Sequence, residues 1–283
     1  MISESEAIRL LEELGITKLP IIPQDICATL NILYLEEEFK CIDGVLIISP
    51  SGKTLIGVNS AIREPGRKNF TYAHEIGHLC MHSQDQSEFY CSRDLIGSFK
   101  SKIHPSELEA NRFAAELLMP RFIYEQLVRV REPGWDTIKE LASLSQTTLT
   151  ATAKRFMDLT DHACALIISE KRIISSFHPS KEFRAYIDPG IVSTETIAYS
   201  AFRGSQPPDN FEGVKADNWL SGRGVRPHTE ILEWTLPINS YGQVLTLLFD
   251  EEGIQGWEED GYLDDEDDVQ WEPPTFHKSK RKK

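Results

Sequence analysis

The sequence predicts an α+β fold, and three stretches of the chain lead to that prediction. Residues 70–80 carry apolar and small residues three and four apart, which is typical of a helix with one buried face. Residues 42–58 contain two apolar runs separated by a Pro-Ser-Gly-Lys turn, which indicates a strand, a turn and a strand. After residue 161, short β-branched and aromatic runs alternate with polar breaks, which predicts a second, smaller set of strands at residues 165–169, 172–177, 183–187, 230–236 and 243–249.

Two short helices are predicted ahead of the first strands. Residues 4–14 place Ala7, Leu10 and Leu14 on one side, and Gly15 follows where a helix commonly ends. Residues 23–30 form the second predicted helix. We expect both to pack on the domain that follows.

The helix at residues 70–80 contains His74-Glu75-x-x-His78, the H-E-x-x-H signature of zinc-dependent hydrolases. Residues four apart lie on one face of a helix, so both histidines can present a ring nitrogen to one metal ion. Glu75 lies about 100° round the helix from His74, which places its carboxylate beside the open coordination position as a general base. Near the start of this helix, Thr71 is a candidate N-terminal cap, and Arg67 is a candidate to hold a carboxylate near the site. Without a third ligand, the motif also fits a helix with two solvated histidines.

A second helix downstream offers the third ligand. The pattern of residues 106–119 is helical, and Pro120 ends it. Small residues on its main face allow close approach to a neighbouring helix. That face comprises Glu107, Ala110, Asn111, Ala114 and Leu118.

Zinc hydrolases use three protein ligands and keep one coordination position open. His74, His78 and Glu107 would complete such a set. Glu109 is the competing candidate, but it points about 200° away from Glu107 on the same helix. It also fits a capping box that begins at Ser106, so Glu107 is the preferred ligand.

Two segments resemble the ImmA/IrrE family of metallo-endopeptidases. They are R-x-x-F-T-x-A-H-E-I-G-H-L from Arg67 and E-x-x-A-N-x-F-A-x-E-L-L-M-P from Glu107. The resemblance extends more loosely over residues 1–160. It implies a zincin-like metallopeptidase domain in the bacterial, archaeal or phage cytoplasm. It also implies one Zn²⁺ ion and a protein substrate, a helix-turn-helix repressor whose cleavage derepresses mobile-element or stress genes.

The family pattern is intact at its four functional positions. The resemblance implies that His74, His78 and Glu107 are the metal ligands and that Glu75 is the catalytic residue. No other cofactor is implied.

The surroundings of the motif supply further candidates. The hairpin at residues 42–58 either receives substrate as an added strand or is purely structural. Residues 83–105 are predicted to be a loop near the metal, in which Tyr90 or His104 could stabilise the oxyanion. His82 lies four residues past His78, and a surface histidine or one that contacts a metal ligand is favoured for it. Cys80 is expected to pack in the core.

The pattern is helical again over residues 124–159. Residues 135–142 and 146–156 resemble the two helices of a helix-turn-helix. A helical pair that closes the peptidase domain is favoured over DNA recognition, because Lys154 and Arg155 are the only positive charges in the second helix.

Three segments organise the chain. Residues 1–160 form the predicted peptidase domain, and residues 161–250 form a small α+β domain with a sensory, docking or dimerisation role. Residues 251–283 form an acidic-aromatic and then basic tail that is expected to be disordered.

Composition narrows the class of protein. The net charge of −14 argues against direct nucleic-acid binding and is compatible with a basic protein partner. The five scattered cysteines predict free thiols in a reducing compartment, which fits a cytoplasmic protein. No apolar run approaches membrane-spanning length and no signal peptide is apparent, so we expect no membrane association.

Three functions are compatible with the sequence. The favoured one is a zinc-dependent endopeptidase that cleaves a repressor. The alternative is a regulatory binding module that sequesters a repressor with little proteolysis. A DNA-binding regulator that uses residues 136–156 is third.

Overall fold

The computed structural model describes residues 2–92, 96, 104–187, 190–221, 225, 228–238, 242–251 and 253. Its mixture of helices and sheets confirms the α+β fold class. The chain divides into two compact units, one of residues 1–131 and 136–159 and the other of residues 132–135 and from Thr160 onward. The predicted tail lies outside the described residues, except for Glu251 and Gly253. Among the described residues, no helix has the length and apolar character needed to cross a membrane.

The first unit combines helices with one sheet. Its helices are α1 (Ile2–Glu13), α2 (Pro23–Thr29), α3 (Pro65–His82), α4 (Pro105–Leu118), α5 (Arg121–Val128), α6 (Trp135–Ser145) and α7 (Leu149–Leu159). Its strands are β1 (Leu33–Glu37), β2 (Gly44–Ile48), β3 (Thr54–Asn59) and β4 (Glu88–Cys91). The helices predicted from periodicity are confirmed, while β1 and β4 were not predicted.

The sheet has the strand order β1-β3-β2-β4, in which only β1 and β3 run parallel. The predicted hairpin is confirmed as β2 and β3. Each of these strands is hydrogen-bonded on both sides, so neither has a free edge for an added strand. The hypothesis that this hairpin receives substrate is therefore wrong.

The motif helix begins earlier than its apolar pattern indicated. Pro65 occupies its first turn, where a proline costs no hydrogen bond. Thr71 lies inside the helix and donates its hydroxyl to the Arg67 carbonyl at 3.0 Å, so the prediction that it is the N-cap is wrong. Arg67 holds the Asp43 carboxylate at 2.7 Å, which confirms that it pairs with an acidic group.

Helices α3 and α4 pack closely because small residues meet at their crossing. A Cβ on Gly77 would lie 3.0 Å from the Phe113 ring and 3.3 Å from the Ala110 Cα. Ala110 and Ala114 are fully buried. This contact brings the helix with His74 and His78 against the helix with Glu107.

Helix α7 is joined to the rest of the first unit by its basic residues. The Arg155 guanidinium donates to the Met119 carbonyl at 2.9 Å and pairs with the Glu116 carboxylate. Burial lowers the pKa of Lys154. These contacts support a helical pair that closes the domain, since a recognition helix needs its positive charges on the surface.

The second unit is built on a sheet of order β6-β5-β11-β10-β8. Its elements are β5 (Cys164–Glu170), β6 (Ile173–Pro179), β7 (Tyr186–Ile187), α8 (Ile197–Phe202), β8 (Glu212–Lys215), β9 (Leu220–Ser221), β10 (Glu230–Ile238) and β11 (Gln243–Phe249). The strands predicted near β5, β6, β10 and β11 are confirmed. The strand predicted at residues 183–187 is shorter than expected, and β8 and β9 were not predicted.

Candidate metal centre

Three side chains from two helices converge at the contact between α3 and α4. The Nε2 atoms of His74 and His78 lie 3.1 Å apart, and both rings are fully buried. The Glu107 carboxylate reaches both of them, with Oε2 3.2 Å from His74 Nε2 and Oε1 3.4 Å from His78 Nε2. The structure therefore brings together the three residues that the sequence predicted as ligands.

These separations fit a zinc ion. Tetrahedral zinc binds nitrogen and oxygen at about 2.0–2.2 Å, so its ligand atoms lie roughly 3.3 Å from one another. Oε2 of Glu107 is buried and makes no hydrogen bond, which leaves it available to a cation. Two imidazoles and a carboxylate are also a donor set that zinc hydrolases use.

Hydrogen bonds to the other ring nitrogens orient both histidines. His74 Nδ1 donates to the Asn111 side-chain oxygen at 3.0 Å. His78 Nδ1 lies 3.1 Å from His82 Nδ1, and His82 Nε2 lies 2.9 Å from the Glu109 carboxylate. Because a carboxylate accepts, His82 donates from Nε2 and accepts at Nδ1 from His78. Both metal-facing Nε2 atoms are then left with a free lone pair.

The hydrogen bond between His82 and Glu109 corrects the prediction for Glu109. The N-cap of α4 is His104, whose ring nitrogen accepts from the Ser106 backbone, so the predicted capping box is wrong. Glu109 instead bonds His82. Of the two roles left open for His82, contact with a predicted ligand, His78, is the one found.

The electrostatics favour metal binding near neutral pH. Burial opposes ionisation of Glu107, but the adjacent His74 and His78 rings lower the pKa of that carboxyl to about 2. Burial lowers the pKa of His78 to about 4. Glu107 is therefore anionic and His78 neutral at neutral pH, the forms in which each binds a metal.

Glu75 lies beside this set and does not join it. Its side chain is fully buried, and neither carboxylate oxygen makes a hydrogen bond of good geometry. Burial raises the pKa of Glu75 well above its ordinary value, and the nearby Glu107 charge adds to this, although the Cys91 thiol opposes it. The carboxylate packs against Gly44 of β2, where a Cβ would lie only 2.2 Å from Oε1.

Cys91 is a residue at the site that the sequence did not reveal. It ends β4, a strand inside the segment predicted to be a loop, and its side chain is fully buried. Its Sγ lies 3.9 Å from Glu107 Oε1. The potential ligand atoms of His74, His78, Cys91 and Glu107 all lie within 4.8 Å of one another. Burial raises the pKa of Cys91, and the charges of Glu75 and Glu107 raise it further.

Strand alternation separates the other candidates in this segment. Phe89 faces the site and stacks on the His78 ring at 4.4 Å. Tyr90 faces the other side, is 56% exposed and bonds the Glu88 carboxylate, so the prediction that it stabilises the oxyanion is wrong. His104 is exposed and bonds Ser106, and its oxyanion role stays a prediction.

Comparisons with known proteins bear on the first unit most directly. A family model, Peptidase_M78, described as the IrrE N-terminal-like domain, matches residues 27–157. The chain matches no curated protein. Among solved structures it resembles a Mycobacterium tuberculosis transcriptional regulator, with 14% identity, 93% of each chain covered and a TM-score of 0.52, a likeness that shows the fold alone. Residues 27–157, which contain the converging His74, His78 and Glu107, thus match the IrrE N-terminal-like domain of the peptidase M78 family, and this match confirms the ImmA/IrrE resemblance.

Proposed function

We propose that the protein is a zinc-dependent endopeptidase whose substrate is a helix-turn-helix repressor in the same cytoplasm. Cleavage of the repressor would release mobile-element or stress genes. The observation that carries the hydrolytic part is Glu75, a buried carboxylate without a hydrogen-bond partner that lies near the Glu107 charge and the Cys91 thiol. A site that only bound metal would have no need of an unpaired carboxylate at that position.

The side chains divide the chemistry between them. His74, His78 and Glu107 would hold the ion, while Asn111 and His82 keep the two rings in place. A bound zinc ion supplies Lewis acidity toward the peptide carbonyl and lowers the pKa of water toward neutrality.

Glu75 moves the proton. Its raised pKa suits it to accept a proton from the attacking water and to pass that proton to the leaving amine. Phe89 covers one face of the His78 ring, which helps to keep bulk water from the site.

The proposed substrate class depends on the family and on charge. A net charge of −14 favours partners with a basic surface, and the DNA-binding face of a repressor is such a surface. Recognition by β-strand addition would have to use β1 or β4, since these are the strands at the two ends of the described sheet.

A matched pair of variants tests the proposal. Wild type, Glu75→Gln and the exposed-site control Glu12→Gln are each loaded with zinc and incubated with purified helix-turn-helix repressors, beginning with any that is encoded beside this gene. Intact mass should show one defined cut with wild type and the control. Glu75→Gln should keep its zinc and lose roughly 10²–10⁴-fold in rate, the contribution typical of a general base.

Two results would contradict the proposed endopeptidase function. Equal cleavage by Glu75→Gln would remove that residue from the chemistry. If wild type binds the repressor tightly in a titration but does not cut it, the protein is instead a sequestering module, for which a fourth potential ligand beside the metal set is the supporting observation.

A further inference from the structure

We infer that Cys91 is a fourth protein ligand of the metal, so that the resting site is a closed set of Cys91, His74, His78 and Glu107. The inference relies on the metal assignment in the proposed function, and it does not require peptide cleavage. It concerns regulation, because a thiolate in the fourth position excludes water from it.

The position of the thiol fits this role. Sγ lies 3.9 Å from Glu107 Oε1, and all four potential ligand atoms fall within a 4.8 Å span. With zinc–sulfur bonds of about 2.3 Å, sulfur and oxygen ligands of one tetrahedral ion lie roughly 3.5 Å apart. Only a small movement of the thiol is needed to reach that separation.

The backbone aims the thiol at the site. The Asp43 amide donates to the Cys91 carbonyl at 2.9 Å, and Arg67 in turn holds the Asp43 carboxylate. Cys91 pairs with Gly44 across β2 and β4, and Phe89, on the same face of β4, stacks on His78. Since successive side chains of a strand alternate, these contacts fix the direction of the Cys91 side chain.

A second observation calls for a cation at this point. Glu75 is fully buried and both of its oxygens lack hydrogen bonds, and Oε2 of Glu107 is in the same condition. Buried carboxylates without partners are costly unless a metal or another positive charge neutralises them. A coordinating ion would deprotonate the Cys91 thiol, which lies beside the Glu107 carboxylate.

A fourth protein ligand would change how the site behaves. Closed four-ligand zinc sites are structural, whereas catalytic sites keep one position for water. With Cys91 bound, water must displace the thiolate before Glu75 can use it. Loss of Cys91 should therefore weaken zinc binding and raise the rate of cleavage.

Cobalt substitution of the full-length protein reads the ligand set directly. Wild type, Cys91→Ala, Cys91→Ser and the control Cys80→Ala are loaded with one equivalent of Co²⁺, and zinc affinity is measured by competition with a chromophoric chelator. Cys80 is the matched control because it lies on α3, two residues past His78, and is only partly buried.

We expect a near-ultraviolet thiolate-to-cobalt charge-transfer band in wild type and in Cys80→Ala, and its loss in both Cys91 variants. Zinc affinity should fall by about 10- to 100-fold in those variants. Removing only a hydrogen-bond partner of a metal ligand typically costs this much, so losing a ligand should cost no less. If the Cys91 variants fail to fold, the band in wild type and in Cys80→Ala still shows whether a thiolate binds the metal.

Cobalt bound in wild type without the band, or failure to bind cobalt, would overturn the inference. A band without any repressor cleavage would uphold the inference and contradict only the proposed peptidase. Cleavage without the band would contradict the inference and support the proposed peptidase.

Discussion

Gly44 sets the position of the Glu75 carboxylate, because that carboxylate occupies the space a side chain would take. A methyl group at residue 44 would lie 2.2 Å from Oε1, so Gly44→Ala must displace this carboxylate. We expect metal content to be unchanged and kcat to fall by roughly 10²-fold, the cost typical of a shift of about 1 Å in a catalytic group.

Gly57→Ala is the matched control for this prediction. It crowds Val45 in the same sheet at 2.8 Å but does not meet Glu75. It should lower stability and leave kcat intact. Equal losses of kcat in the two variants would show that Gly44 acts through the sheet as a whole.

The buried ring of His78 makes the metal-free protein sensitive to acid. Its pKa falls from 6.5 to about 4 because burial disfavours the charged ring. Between these values the unfolded chain binds the proton more readily, so stability is complete above pH 6.5 and declines as the pH falls toward 4. Glu107, with its pKa lowered to about 2, stays ionised over this range.

Urea unfolding in the presence of a chelator measures the effect. Between pH 7 and pH 5, wild type should lose about 2 kcal/mol more of its free energy of unfolding than His78→Gln does. The same pH dependence in both proteins would mean that His78 is not the group responsible.

At the level of single residues, spacing predicted more of the site than composition did. His74, Glu75, His78 and Glu107 follow from helical periodicity. The structure brings His74, His78 and Glu107 together and places Glu75 near the Glu107 charge. Cys91 could not be found in this way, because its position depends on the pairing of β4 with a strand distant in sequence. The alternation of Glu88-Phe89-Tyr90-Cys91 was the available signal, and four residues are too few to distinguish a strand from a loop.

At the level of elements, the approach of α3 to α4 assembles the metal centre. Gly77→Val would drive its side chain into the Phe113 ring and push the helices apart. We expect the free energy of unfolding to fall by about 1–3 kcal/mol, the usual cost of overpacking. Zinc affinity should fall as well, because Glu107 moves away from the histidines.

Ile76→Val on the same helix is the control that separates the loss of stability from the loss of zinc affinity. Ile76 is fully buried, and its truncation should cost about 0.5–1.5 kcal/mol without pressing on α4. Chemical denaturation and chelator competition measure the two quantities. Unchanged zinc affinity in Gly77→Val would show that the distance between the helices does not position Glu107.

Three of the strands that the sequence missed share a physical cause. The strands β1, β4 and β8 are short edge strands with four or five residues each, and β1 and β8 are largely exposed. Such strands form because a partner strand supplies their hydrogen bonds, and their own sequence carries little periodic signal. Helices α3 and α4 were predictable because their buried faces repeat over several turns.

At the level of the whole molecule, charge should govern the encounter with substrate. The net charge of −14 attracts a basic repressor surface, and salt screens that attraction. We expect the association rate with the repressor to fall by about 10-fold or more between roughly 0.05 and 0.5 M NaCl, while the dissociation rate changes less. Stopped-flow or surface-binding kinetics measure this, and association rates independent of salt would exclude steering by charge.

The contact between the N-terminal end of α3 and the turn between α6 and α7 sets a lower limit on how far the first unit can be shortened. A Cβ on Gly66 would lie 2.4 Å from the Thr147 carbonyl carbon, and the Asn69 amide donates to the Gln146 carbonyl at 3.1 Å. The turn between α6 and α7 thus packs against and supports the helix that carries His74 and His78. A shortened protein that ended before this turn would keep His74, His78, Cys91 and Glu107 yet leave α3 without this support. Truncation for crystallography or biotechnology should therefore retain the chain through Leu159, where α7 ends.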